Sequence, residues 1–173
     1  VIFVDFSAPM LAAAHKLLGD NPRTTIVTAD FASKSWLQSI SNQAPIDILV
    51  SGFAIHHQPD KRKKELYSEI FALLAAGGIF LNLDHVASAT LNVGSLFDHY
   101  FVDYLQRFHV AAGGTHSREE IAQSYYNRPD KEENILATVQ EQLEWLRDIG
   151  FMDVDCYFKI FELALFGGRK PLD

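Results

Sequence analysis

Through residue 85 the chain alternates short apolar runs with helical periodicities. VIFVD (1–5) reads as a buried strand, and Ala8 to Leu18 carries apolar residues at 10, 11, 14, 17 and 18, a spacing that predicts a helix stopping before Gly19. TTIVTA (24–29), rich in β-branched residues, predicts a second strand. Trp36, Leu37 and Ile40 suggest a short helix, Pro45 closes the loop, and IDILVS (46–51) is a third strand. Asp60 is expected to cap a long helix whose Leu66, Ile70, Phe71, Leu73 and Leu74 repeat on one face and which Gly77-Gly78 ends. IFLNLD (79–84) is a fourth strand. From 86 to about 137 the pattern becomes helical, with Leu96 to Phe108 and Ser117 to Asn127 as helices and NRPDKEEN (127–134) as a polar loop. Thr138 to Ile149 is a further helix ending at Gly150, and DVDCYF (153–158) and FELALF (161–166) are close enough to form a hairpin. Strands apolar on both faces and separated by helices imply an α/β domain whose parallel sheet is covered on both sides.

Composition narrows the partners. No apolar run approaches the ~20 residues needed to span a bilayer, so no membrane partner is expected. The formal charge of −7 argues against binding a nucleic-acid backbone, which is driven by Lys and Arg neutralising phosphates. KRKK (61–64) falls in the first turn of the helix opened by Asp60 and reads as a solvated face. Cys156 is the only cysteine, which rules out an intrachain disulfide and a Cys-rich zinc site; a cytoplasmic location is expected. Val1 lies inside an apolar run, so further residues are expected upstream.

Open α/β sheets bind ligands beyond the carboxyl ends of their strands. Asp5 ends the first strand, where a carboxylate can accept from both ribose hydroxyls or, alternatively, begin the turn and help cap helix 8–18. Asp30, followed by Phe31, can accept from an adenine amino group or form an Asx-turn. Ser51-Gly52-Phe53 ends the third strand, and Gly52 would let a ligand approach the backbone. His56-His57 are adjacent, so they do not readily share one ion; a pocket-lining pair is expected and no metal. Asp84-His85 is either a substrate-side acid–base pair or a satisfied polar turn. The aromatics at 97, 100, 101, 104, 108, 125 and 126 are expected mostly in the core, with some lining a pocket, and Leu143, Trp145, Leu146 and Ile149 to dock a helix.

In their order, these segments resemble class I S-adenosylmethionine-dependent methyltransferases. VDFSAPML resembles the second strand and turn of that family, TADF its adenine-contacting turn, and IDILVSGFAIHHQPD with LLAAGGIFLNLDH its fourth strand, helix and fifth strand. LEWLRDIGFMDVDCYFKIFELALFGGRKP resembles the closing helix and antiparallel strand pair. The resemblance implies a Rossmann-like sheet of order 3-2-1-4-5-7-6 with an antiparallel last strand, but the family's first strand and G-x-G-x-G loop are absent from this chain. On that reading residues 1–173 are a partial methyltransferase domain with a substrate-side helical insertion at about 86–137.

The implied activity is methyl transfer from S-adenosylmethionine to a small-molecule acceptor. The implied cofactor residues are Asp5, Phe6, Met10, Asp30, Phe31, Ser51, Gly52 and Phe53, with Tyr100, Tyr104 and Tyr125 toward the acceptor and His57 or His85 taking a proton if one must leave. The insertion is also similar to that of carboxy-S-adenosylmethionine synthases of tRNA modification. That branch places an arginine just before its G-F, where this chain has Trp145, which favours plain methyl transfer. The absent glycine loop is also compatible with a cofactor-binding homologue without turnover. A nicotinamide oxidoreductase likewise places an acid after its second strand, but the antiparallel final pair and the GGIFLNLDH strand entry disfavour it. Apolar strand edges left by the absent strand are expected to favour oligomers.

Overall fold

The parallel strands expected in the first half of the chain form, but in two separate groups. The computed structural model describes residues 1–19 and 21–172, without the side chains of Asp130 and Glu132. Strands β1 (Ile2–Asp5) and β2 (Thr25–Thr28) pair in parallel, with Asp5 opposite Thr28. Strands β3 (Ile46–Gly52), β4 (Leu74–His85), β5 (Met152–Ile160) and β6 (Leu163–Arg169) form a second sheet of order β3-β4-β6-β5. There β3 and β4 are parallel, and β6 runs antiparallel to both its neighbours. This is the expected order with a break where the absent strand would stand; among the described residues no ladder joins β1 to β3. Beside the break the β3 side chains Ile48 and Val50 are 61% and 65% exposed, so the expected cover on both faces is not complete.

The helices start and stop where local chemistry dictates. Helix α1 (Ala8–Leu18) is capped by the Ser7 hydroxyl, has Pro in its first turn and ends at Gly19 with φ 61°. Helix α2 (Trp36–Ile40) is short, as Trp36, Leu37 and Ile40 suggested. In the insertion, α4 (Leu91–Ala111) is longer than the periodicity implied, and α5 (Arg118–Tyr126) opens with a Ser117–Glu120 capping box. The last helix, α6 (Val139–Ile149), has a Thr138–Glu141 capping box and ends at Gly150.

Three local expectations are corrected around α3 (Asp60–Leu73). Pro59, not Asp60, is the N-cap, and Asp60 instead accepts from Lys63 Nζ at 2.8 Å. The helix ends at Leu73, and Gly77-Gly78 lie inside β4 rather than after a helix. They form an irregularity there: Leu74 pairs with Ile46 and Ile79 with Ile48, and the intervening residues bulge with Gly77 at φ 76°. Lastly, KRKK is only half a solvated face: Lys61 and Lys64 are exposed, but Arg62 and Lys63 are buried. Arg62 pairs with Glu69 through two bonds of 2.7 and 2.8 Å, and Lys63 donates to Asp60 and to the Ile135 carbonyl.

The main core lies between α3, α6 and the second sheet. Leu66, Tyr67 and Ile70 meet Leu143, Leu146, Phe80 and Phe166. The Tyr67 hydroxyl donates to Gln142 Oε1 at 2.6 Å, tying α3 to α6. Burial pushes this phenol well above its usual range, and the negative charge of Asp84 adds to the rise. The β1–β2 pair is fastened to this core through Trp36, whose Nε1 donates to Glu69, and through Arg62, whose Nε donates to the Phe31 carbonyl.

Candidate active site

The residues expected at strand ends fall into two neighbouring groups. Asp5 and Asp30 end β1 and follow β2, which are adjacent. Asp5 Oδ1 accepts from the Ser7 N–H at 2.8 Å and Asp30 Oδ1 from the Ala32 N–H at 2.8 Å. Both carboxylates therefore shape their turns, and each keeps its second oxygen without a hydrogen bond among the described residues. Phe31 is half-buried and packs against the core, whereas Phe6 and Met10 are exposed at the start of α1. Across the break, Ser51 and Gly52 end β3, and a Cβ built on Gly52 meets no heavy atom within 4 Å. Phe53 follows with φ 51°, an uncommon backbone for a bulky residue, fixed by its N–H donating to the Leu83 carbonyl at 2.9 Å.

Phe53 also forms part of the rim of a cavity of about 300 Å³ at the ends of β3 and β4. His56, His57 and His85 line it together with Phe97, Phe101, Tyr125, Arg128 and Asn134 of the insertion, and the His85 and Phe97 rings are neighbours at 6.2 Å between centroids. His56 Nδ1 lies 2.6 Å from Asp84 Oδ1. Asp84, itself only 1% exposed, also accepts from the His85 N–H at 3.0 Å and from Asn82 Nδ2 at 3.2 Å. His85 Nε2 meets Glu162 Oε2 at 2.9 Å, and His57 Nδ1 meets the Glu133 carbonyl at 3.2 Å. Burial alone would raise Glu162, but the hydrogen bond and charge of His85 and the hydrogen bonds from Ser88 together outweigh it and hold the carboxyl below its ordinary range.

These partners determine the tautomers. Carboxylates and carbonyls only accept, so each neutral imidazole carries its proton on the bonded nitrogen and leaves the other as an acceptor. The second nitrogens of His56 and His85 have no partner among the described residues and are not among the buried, unpaired atoms, so they open toward the cavity.

Of the tyrosines, Tyr125 reaches the cavity, donating to Asp98 Oδ1 at 2.7 Å; burial, then Asp98, pushes its phenol up. Tyr100 and Tyr104 do not line it. Tyr100 is held by stacking on Phe161 at 5.6 Å, and Tyr104 lies a turn further along α4 beside Phe101. The sequence singled out His57 and His85 for proton transfer and met His56 only as half of an adjacent pair. Its carboxylate partner is 28 residues away, and nothing in the local pattern marks it. Trp145 lies under the Lys64 ammonium at 4.7 Å, on the α3–α6 side rather than at the cavity. Among the described residues no group of three His, Cys, Asp or Glu side chains is placed to hold a metal, and no helix is long and apolar enough to cross a membrane.

Residues 1–78 match the family model of a methyltransferase domain. Among solved structures, 98% of the chain superimposes on a possible exported protein from Bordetella parapertussis, at 17% identity and a TM-score of 0.63. It likewise superimposes on an O-methyltransferase family 2 protein from Planctomyces limnophilus in complex with apigenin, at 17% identity and a TM-score of 0.60. Human N-acetylserotonin methyltransferase in complex with S-adenosylmethionine gives 14% identity and a TM-score of 0.56, again over 98% of the chain. The chain spans 53%, 42% and 40% of those proteins, respectively, about half of their length or less. No match is found among curated proteins.

Proposed function

From a chain with the class I methyltransferase fold, whose residues 1–78 match the methyltransferase-domain family, we propose an activity that transfers a methyl group from S-adenosylmethionine to a small-molecule oxygen nucleophile. The observation that carries this reading is the buried His56–Asp84 pair, open to a cavity directly beside the strand ends that suit a nucleoside.

The chain's own residues fit the cofactor. Asp5 offers its second carboxylate oxygen to ribose hydroxyls, Asp30 and Phe31 flank the adenine, and Gly52 leaves its backbone approachable. Phe6 and Met10, exposed at the start of α1, and Ser51, at the end of β3, are the further residues expected to contact the cofactor. S-adenosylmethionine supplies an electrophilic methyl on its sulfonium, and the sulfur leaves as a neutral thioether when the acceptor oxygen takes that methyl. Since the donor is already activated, the protein's work is alignment, exclusion of water and removal of the acceptor's proton. His56 is the base. Its Nε2 receives the hydroxyl proton, and Asp84, held by three donors, orients the ring and stabilises the imidazolium. His57 and His85 accept further hydrogen bonds from the acceptor, and the insertion at 86–137 closes the cavity on the substrate side.

Calorimetry with S-adenosylhomocysteine tests the cofactor half. Asp5→Asn keeps the Oδ1 acceptor for Ser7 but removes the charge, and should weaken binding by about 1.5–3 kcal/mol, the scale of a charged hydrogen bond. Unchanged binding would remove Asp5 from the site.

A further inference from the structure

Resting on the methyl-transfer reading, the cavity chemistry points further, to the acceptor itself. We propose that the acceptor is a small aromatic ring bearing at least two adjacent hydroxyls, one methylated and the other held by a pocket histidine.

Three imidazoles meet in one small cavity, with ring centroids 3.9 Å apart for His56–His57 and 5.7 Å for His56–His85. Each is bonded through one nitrogen to a group that can only accept, so each presents an acceptor and none a donor. Arg128 and Asn134 also line the cavity and carry donors, so a complementary ligand must donate to the histidines and be able to accept as well, which a hydroxyl does. A ligand without donors would leave several desolvated acceptors unpaired at a cost its apolar contacts cannot easily offset. Beside the histidines the lining is aromatic: Phe97, Phe101 and Tyr125 follow one another at 5.6 and 5.5 Å between centroids. That lining favours a flat ring, which stacks against it while its edge faces the histidines. At about 300 Å³ the space is at the lower end of ligand pockets, which suits one or two rings and not a polymer. Adjacent hydroxyls on one ring edge match histidines clustered on one side. Methylation of one hydroxyl forms its O–C bond, sends the proton to His56 Nε2 and removes one donor, so the product is held less tightly than the substrate.

The test is binding of catechol, phenol and ortho-xylene to the wild-type chain without cofactor, followed by calorimetry or ligand-observed NMR. Catechol and ortho-xylene share a shape and differ in two donors. Catechol should bind about tenfold or more tighter than ortho-xylene, with phenol between, even though the xylene is the more hydrophobic. His57→Phe, on a half-buried turn, and His85→Phe should each lower catechol affinity severalfold and leave ortho-xylene unchanged. Ortho-xylene binding as well as catechol to the wild type would overturn the proposal, whatever the variants do. A catechol preference that persists beside failed S-adenosylhomocysteine binding would overturn the methyl-transfer reading and, with it, the acceptor role of the ring.

Discussion

Arg62 offers a direct test of how the cofactor-side strands are held. Its guanidinium makes two bonds to Glu69, one to the Phe31 carbonyl and a longer one, 3.4 Å, to Glu65, while Trp36 Nε1 binds Glu69 at 2.6 Å. The side chains of Arg62 and Glu69 are 10% and 9% exposed. Arg62→Met strands a buried carboxylate with one donor and leaves the Phe31 carbonyl unpaired, which should cost about 3–5 kcal/mol. That is a large part of a typical domain stability of about 5–15 kcal/mol. Glu69→Leu should cost about as much, because it strands the guanidinium instead. The double variant has no unpaired charge and should cost no more than either single one, a coupling of roughly 3 kcal/mol or more. Urea denaturation of the four proteins reads the cycle. Costs below about 1 kcal/mol, or costs that simply add, would mean that Arg62 behaves as an exposed cation and that the Phe31 turn is held by something else.

Other expected outcomes bear on the site and on pH. Asp84→Asn should keep the fold, because Asn82 Oδ1 lacks a partner and a turned Asn82 amide accepts from the new one; losing the charge beside His56 should slow methylation of catechol by roughly two orders of magnitude, for about 3 kcal/mol of imidazolium stabilisation. Phe53→Gly should hold stability level or raise it by about 1 kcal/mol by relieving the left-handed backbone, yet weaken ligand binding, both measurable by thermal shift with and without ligand. Burial would raise both Glu69 and Glu162, but donors from Arg62 and Trp36 in one case, and from His85 and Ser88 in the other, together outweigh it and hold both below the ordinary carboxyl range. Their folded values lie below the unfolded value of about 4.3, so their stabilisation is complete above that pH and is lost as pH falls through the folded values. Urea midpoints should therefore fall below about pH 4, and less steeply in Glu69→Gln.

Much of the fold was legible because the decisive signals are local. Ser7 with Pro9, Ser117 with Glu120 and Thr138 with Glu141 mark helix starts within a few residues, and the β-branched run at 24–29 declares a strand. The strand order followed from the resemblance, not from the pattern. What the pattern misjudged depends on distant partners. Arg62 and Lys63 look solvated until Glu69, seven residues on, and the Ile135 carbonyl, 72 residues on, come into place. Gly77-Gly78 resembles a helix stop, and only the pairing of β3 with β4 reveals a bulge. At the site, His56 and His57 are alike in sequence, and their difference arises from Asp84 and from which ring the 3₁₀ turn points inward. Asp5, Asp30 and Gly52 were placed at strand ends from sequence, but that Asp5 and Asp30 each spend one oxygen on their own turn emerges only in the fold.

The most direct test of the central claim is an amide NMR titration of the chain with S-adenosylhomocysteine. Shifts should concentrate at Asp5–Ser7, Asp30–Phe31 and Ser51–Phe53, with smaller changes at His56 and His85 and none along β5. Gly52→Ala adds a Cβ that the protein itself accommodates, so it should keep the free spectrum largely unchanged and abolish or strongly weaken those shifts. A saturating response elsewhere on the chain, or a Gly52→Ala variant that binds as the wild type does, would contradict a cofactor site at these strand ends.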